Sequence, residues 1–213
     1  MKKELRHALI QIARSQISDE DPSHDFEHAL RVLANAEQIA KAEKADLEII
    51  IPAALFHDLV NHPKNSPRAA VSSDESAQET EIILRALKDY PQGKIVKVCE
   101  AIRCCSFAKW IVPDLLEAKI LQDADGLEAT GAISVMRTFS STGQMKRPFY
   151  QPEDPFCSKR HPDSNRYALD LFFTRLLVVA DRMHTQSAKR IAKRRTAFLM
   201  AFLKELKIEL SGR

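Results

Sequence analysis

An all-α protein, folded as a single-domain helical bundle, is the expectation for this chain, and three features carry it. Glycine occurs only five times in 213 residues, too few for a fold built on tight hairpins. Long stretches are rich in Ala, Leu, Ile, Lys and Glu, residues that favour helix. Apolar side chains also recur at helical spacing in one segment after another. The length is long for one domain and short for two, and 45% hydrophobic content is enough for a sizeable core. One domain spanning residues 1–213 is expected, with a core over about 20–130.

The elements follow in order. Residues 3–16 read as a short amphipathic helix, with Leu5, Ala8, Leu9 and Ile12 on one side. Asp19 to Ser23 break it. Ser23 is expected to cap a second helix over roughly 24–44, whose inner face carries His28, Val32, Asn35 and Ile39. Asp46 can cap a third, which carries Ile49 to Asp58 and is expected to kink at Pro52. Residues 61–71 read as a loop. Ser72 and Glu75 fit a capping box for a helix running to about Tyr90. Pro91 opens the next helix, with Ile95, Val98, Cys99 and Ile102 inside. Pro113 precedes a long one with a stripe of Ile120, Ala124, Leu127 and Gly131. The proline- and charge-rich stretch 142–165 is expected to be a long ordered loop. Residues 166–210 are expected to form a helical buttress, broken near Met183 and His184.

Composition excludes little. The net charge is +3, and much of the basic charge sits in Lys189, Arg190, Lys193, Arg194 and Arg195. That run reads as a solvated helix face. Nucleic acid is not the expected partner, because Ile191, Phe198 and Leu199 read as core stripe and no recognition motif accompanies them. No apolar run approaches the roughly 20 residues of a membrane span. The four cysteines match no zinc module, which suits a reduced, cytoplasmic protein. Oligomeric assembly stays open.

The stretch that organises the chain is the apolar run from Ile49 to Phe56, which ends in His57 and Asp58. A carboxylate at the end of such a run must neutralise, pair with a cation or hold a metal. Imidazole beside carboxylate is a ligand set for a divalent cation. The other candidates are His28 and one of Asp123 or Asp125, all from separate helices that a bundle can bring together. Taken singly, each has an ordinary structural reading. The second His-Asp pair, His24 and Asp25, reads as helix-end stabilisation.

The ordered pattern of His28, then His57 and Asp58, then Asp125 resembles the HD superfamily of metal-dependent phosphohydrolases. It is most similar to the small single-domain bacterial members of the YedJ and YpgQ type. The matching stretches are His24 to Val32, Ala53 to Asp58 and Lys119 to Ala129, with Cys99 to Phe107 and Asp154 to Phe156 in support. The resemblance runs from about residue 20 to 210 and implies a helical bundle of the HD-domain type. It implies His28, His57, Asp58 and Asp125 as metal ligands, with Asp123 as the alternative to Asp125. The chain departs from its relatives at Gly126, Glu128, Asn61 and His62, while the ligand positions are untouched.

The implied cofactor is a divalent ion: Mn, Mg, Co, Fe or Ni. The implied chemistry is attack of metal-activated water on phosphorus in a small phosphate compound, with a nucleotide as the favoured substrate. Asp58, Glu75 and Glu79 are the candidate catalytic carboxylates. Arg31, Lys64 and Arg68 are the candidate phosphate clamps. The alternatives are a phosphodiesterase, or a sensor domain that binds metal and nucleotide without turnover.

Overall fold

Helices form where the apolar spacing asks for them, and no strand occurs among the described residues. The structure is a computed structural model that describes residues 1–18, 21, 23–62, 66–106, 109 and 111–212. It divides into two compact units, Met1–Asp125 and Gly126–Arg213.

The first unit is built from α1 (Lys3–Gln16), α2 (Phe26–Glu43), α3 (Leu47–Phe56), α4 (Ser72–Ala86), α5 (Ile95–Cys105) and most of α6 (Leu116–Gly126). Helix α3 is apolar all round, and every residue from Ile49 to Phe56 is buried. It therefore sits at the centre, packed against α1, α2, α4 and α5. Its start is capped by Asp46, whose carboxylate accepts from the Glu48 amide at 2.9 Å. Lys94 binds Asp46 and Glu48 together, at 2.6 Å each.

Pro52 lies inside α3, where it has no N–H to offer the carbonyl four residues back. That carbonyl belongs to Glu48, and the Tyr90 hydroxyl donates to it at 2.7 Å. Burial, with Asp46 and Glu48 nearby, pushes the Tyr90 phenol upward, so it remains a donor. Tyr90→Phe is expected to cost about 1–2 kcal/mol by leaving the carbonyl without this donor. Urea unfolding followed by circular dichroism measures it, and an unchanged midpoint would show that the hydroxyl compensates for nothing.

Several boundaries differ from expectation, each for a local reason. Asp25, not Ser23, caps α2: its carboxylate accepts from the His28 amide at 2.7 Å. Ser72 and Glu75 do not form a capping box. A 3-10 turn over Pro67–Val71 feeds directly into α4, so the segment expected as loop to 71 is already helical there. Helix α4 stops at Ala86 rather than near Tyr90, and Gln92 donates to the carbonyls of Leu84 in its last turn and of Leu87 and Tyr90 beyond it.

The second unit contains α7 (Gly131–Gln144) and α8 (Gln186–Ser211), joined by a long irregular segment. The expected continuous stripe from Ile120 to Gly131 is interrupted. Leu127–Ala129 tighten into a 3-10 turn, Thr130 is extended, and Gly131 takes φ +71°. A Cβ at Gly131 would lie 3.1 Å from Arg195 Cβ, so both backbone and space require glycine. Helix α7 runs to Gln144, which puts the start of the loop three residues later than expected. The break near Met183 lies where the sequence places it, with Thr185 capping α8. Leu169, Phe172, Leu176, Leu199 and Leu203 form this unit's core. Phe172 and Phe202 stack at 5.6 Å.

No described helix is long and apolar enough to cross a membrane. All four cysteines are unpaired.

Candidate metal centre

Three helix ends of the first unit deliver the candidate ligands. His28 stands in the first turn of α2, fully buried, with its amide held by the Asp25 cap. His57 and Asp58 follow the last residue of α3. Asp125 lies in the last turn of α6. Asn35, on the inner face of α2, donates its side-chain amide to Ala124 O at 3.4 Å. That contact ties the helix bearing His28 to the backbone beside Asp125.

The donor atoms converge. His28 Nε2 lies 3.6 Å from Asp58 Oδ2 and 3.6 Å from Asp125 Oδ1. His57 Nε2 lies 3.5 Å and 4.0 Å from the same two oxygens. Donors bonded to one ion at about 2.1 Å stand roughly 3–4 Å apart, so these separations suit a shared cation. Asp123 is buried, but its carboxylate joins neither of the two ligand groups among the described residues, His24 with His28 and Asp58, and His28 with His57 and Asp125. Neighbours two apart on a helix point about 200° apart, so the two aspartates diverge.

The tautomer of His57 is set by its backbone. Its Nδ1–H donates to Ala54 O at 2.9 Å, which leaves Nε2 with a lone pair. His57 is 3% exposed, and Nε2 has no hydrogen-bond partner among the described residues. A buried imidazole nitrogen of this kind costs desolvation unless a cation takes the lone pair. His57 and His28 with two carboxylates fit a divalent ion, and that is the set the structure assembles.

Electrostatics agree with this. Burial pushes the Asp58 carboxyl up, but His57, the hydrogen bond from His24 and the nearby His28 ring outweigh it and hold the group well below the usual range. Asp58 is thus an anion at neutral pH. Cys105, buried at the end of α5, is driven the other way, by burial and then by Asp125 and Asp58. Its thiol stays protonated and is a poor ligand.

The remaining sequence candidates are placed less directly. Glu75 accepts from His62 Nε2 at 2.6 Å and from Arg68 Nη2 at 2.7 Å, so both its oxygens are engaged. Glu79 and Arg68 are exposed, and Arg31 is half-buried on α2. Lys64 lies outside the described residues.

Three residues near the site escape sequence reasoning. His24 donates from Nδ1 to Asp58 Oδ2 at 2.8 Å. The duplicated His-Asp pair, one helical turn before His28, is the signal that marks it. Ser76 bonds both backbone groups of Val60, at 3.0 Å and 3.2 Å, and Ser72 Oγ accepts from the His62 amide at 3.3 Å. These two serines hold the segment after Asp58 against α4. Only their spacing of four hints at a shared face.

Comparison with known proteins bears on this cluster. The family model that matches is the HD domain, over residues 25–130. The uncharacterized protein YpgQ of Bacillus subtilis (strain 168) is 30% identical over 224 aligned residues, 99% of this chain and 97% of YpgQ. A crystal structure of Bacillus subtilis YpgQ in complex with ADP is similar at TM-score 0.72 and 27% identity, covering 96% of this chain and 97% of that one. A crystal structure of an HD-superfamily hydrolase from Bacillus thuringiensis gives TM-score 0.73 at 26% identity, with 100% of each chain covered.

Proposed function

Because the chain belongs to the HD superfamily, on its YpgQ-like branch, we propose that it is a divalent-metal-dependent phosphohydrolase acting on a nucleotide or another small phosphate compound. The observation that carries the reading is the lone pair of His57 Nε2, buried and aimed at the space shared by His28, Asp58 and Asp125. Those four residues would hold the ion. When bound, a divalent ion supplies Lewis acidity to water and to a phosphoryl oxygen.

The chain supplies the rest. Asp58, ionised at neutral pH, brings negative charge to the centre without needing to lose a proton. Arg31, Lys64 and Arg68 are assigned to phosphate oxygens. Arg68 is held by Glu75, so a phosphate group competes with that carboxylate for the guanidinium. Glu75 and Glu79 are assigned to orienting water, and Glu75 does so by exchanging one of its present partners. The ADP named in the YpgQ structure favours a nucleotide here also.

The test is hydrolysis of a panel of nucleotides and generic phosphoesters with Mn²⁺, Mg²⁺, Co²⁺, Ni²⁺ or EDTA. Turnover is expected with metal and lost with EDTA, and release of phosphate or pyrophosphate identifies the bond cut. Stoichiometric metal binding with no turnover on any substrate would overturn the reading in favour of a sensor.

A further inference from the structure

We infer that His24 is a positioning residue of the metal centre, orienting the Asp58 carboxylate rather than ligating the ion; the inference rests on the metal-centre reading above. Three imidazoles surround Asp58 Oδ2, but at different ranges. His24 Nδ1 stands at hydrogen-bond distance, 2.8 Å, whereas His57 Nε2 and His28 Nε2 stand at 3.5 Å and 3.6 Å. An ionised carboxylate only accepts, so the proton of this bond sits on His24 Nδ1. That nitrogen has no lone pair to offer an ion. His57 is arranged the opposite way: its Nδ1–H is spent on Ala54 O, and Nε2 faces the centre as an acceptor. Two histidines against the same carboxylate oxygen therefore present opposite faces of their chemistry.

His24 is also held independently of the metal. Its amide donates to Asp21 O at 2.9 Å, and the Ser23 amide donates to Asp21 Oδ1 at 2.9 Å. The next residue, Asp25, caps α2. The ring is thus carried on a turn whose backbone is bonded on both sides. It lies one position ahead of the stretch that matches the HD-domain model. With one oxygen of Asp58 fixed by His24, the carboxylate cannot rotate freely between His28 and His57. Groups that orient ligands in this way are worth about 10- to 100-fold in metal affinity.

The experiment is Mn²⁺ titration of the metal-free protein, with free Mn²⁺ read by electron paramagnetic resonance. It compares wild type, His24→Ala and His24→Asn. His24→Ala is expected to weaken Mn²⁺ binding about 10- to 100-fold. His24→Asn is expected to recover most of it, because its amide nitrogen falls near the place of Nδ1. Circular dichroism of the three metal-free proteins is expected to show the same helical fold at the titration temperature, with His24→Ala melting some degrees lower for loss of the hydrogen bond, which separates orientation from loss of the fold. In protein labelled with ¹⁵N-histidine, saturated Mn²⁺ is expected to couple to the same number of imidazole nitrogens in wild type and in His24→Asn. Wild-type affinity in His24→Ala overturns the inference and leaves the phosphohydrolase reading standing. Loss of one coupled nitrogen in His24→Asn also overturns it, by making His24 a ligand. A wild-type protein that binds no Mn²⁺ overturns the inference and the metal-centre reading together.

Discussion

Asp58→Ala is expected to abolish metal-dependent turnover and to weaken Mn²⁺ binding by more than about 100-fold. Removal of an orienting partner costs about 10- to 100-fold in affinity, and removal of a ligand must exceed that. Asp58 is the carboxylate on which His24, His28 and His57 converge. Without it, three imidazoles share the pocket with Asp125 alone, and the charge presented to a cation falls by one. The fold should survive. Asp58 lies beyond the end of α3, and the chain after it is held by Ser76 and Ser72. The charge-assisted hydrogen bond from His24 is worth about 1.5–3 kcal/mol, which sets the scale of any destabilisation. Equilibrium dialysis against Mn²⁺, with circular dichroism melting as the control, separates the two effects. Full Mn²⁺ binding by a folded Asp58→Ala would remove Asp58 from the ligand set.

The second large effect is expected in the other unit. Asp170→Ala should destabilise the protein by about 2–3 kcal/mol, the scale of losing charge-assisted hydrogen bonds to a carboxylate. The Asp170 side chain is fully buried and takes both terminal nitrogens of Arg160. It also accepts from the Asp163 amide at 2.6 Å. One carboxylate thus ties together the irregular segment between α7 and α8, and its loss leaves a half-buried guanidinium without its acceptor. Burial alone would raise the Asp170 carboxyl, but Arg160, the Asp163 amide and the Cys157 thiol outweigh it and hold it low. The sign of the pH dependence follows. A carboxyl with a depressed folded value stabilises fully above its unfolded value of about 3.9, and the contribution fades as pH falls through the folded value. The stability gap between wild type and Asp170→Ala, read from urea unfolding, should be widest near neutral pH and close in acid. A gap that widened in acid would contradict the pairing.

Much of the helical order is legible in the sequence, because α1, α2 and α5 each bury a regularly spaced stripe and α3 is an unbroken apolar run. The end of α3 that carries the candidates His57 and Asp58 is legible because an apolar run leaves its first polar residues at the edge of the core. The preference for Asp125 over Asp123 rests on the family pattern, since both lie on one helix and burial alone favours Asp123. Other features are hidden by their nature. His24 reaches Asp58 across 34 residues, and only the return of the chain brings them together. The interruption at Thr130 and Gly131 is masked because Leu127 stays buried in the 3-10 turn, so the stripe looks unbroken. Ser23 and Asp25 are both good caps, and the choice falls to the residue whose carboxylate meets the His28 amide.

The two serines of α4 carry a consequence for how this chain can vary. Ser76 and Ser72 clasp the backbone at Val60 and His62, so the position of Asp58 is insulated from whatever follows His62. Substitutions that leave both serines in place are expected to leave Asp58 where it is. The geometry around Asp58 answers to α4 rather than to the chain beyond His62. The amide protons of Val60 and His62 make the same clasp observable. Their exchange with solvent should slow together in the folded protein and quicken together when α4 frays, well before α3 opens.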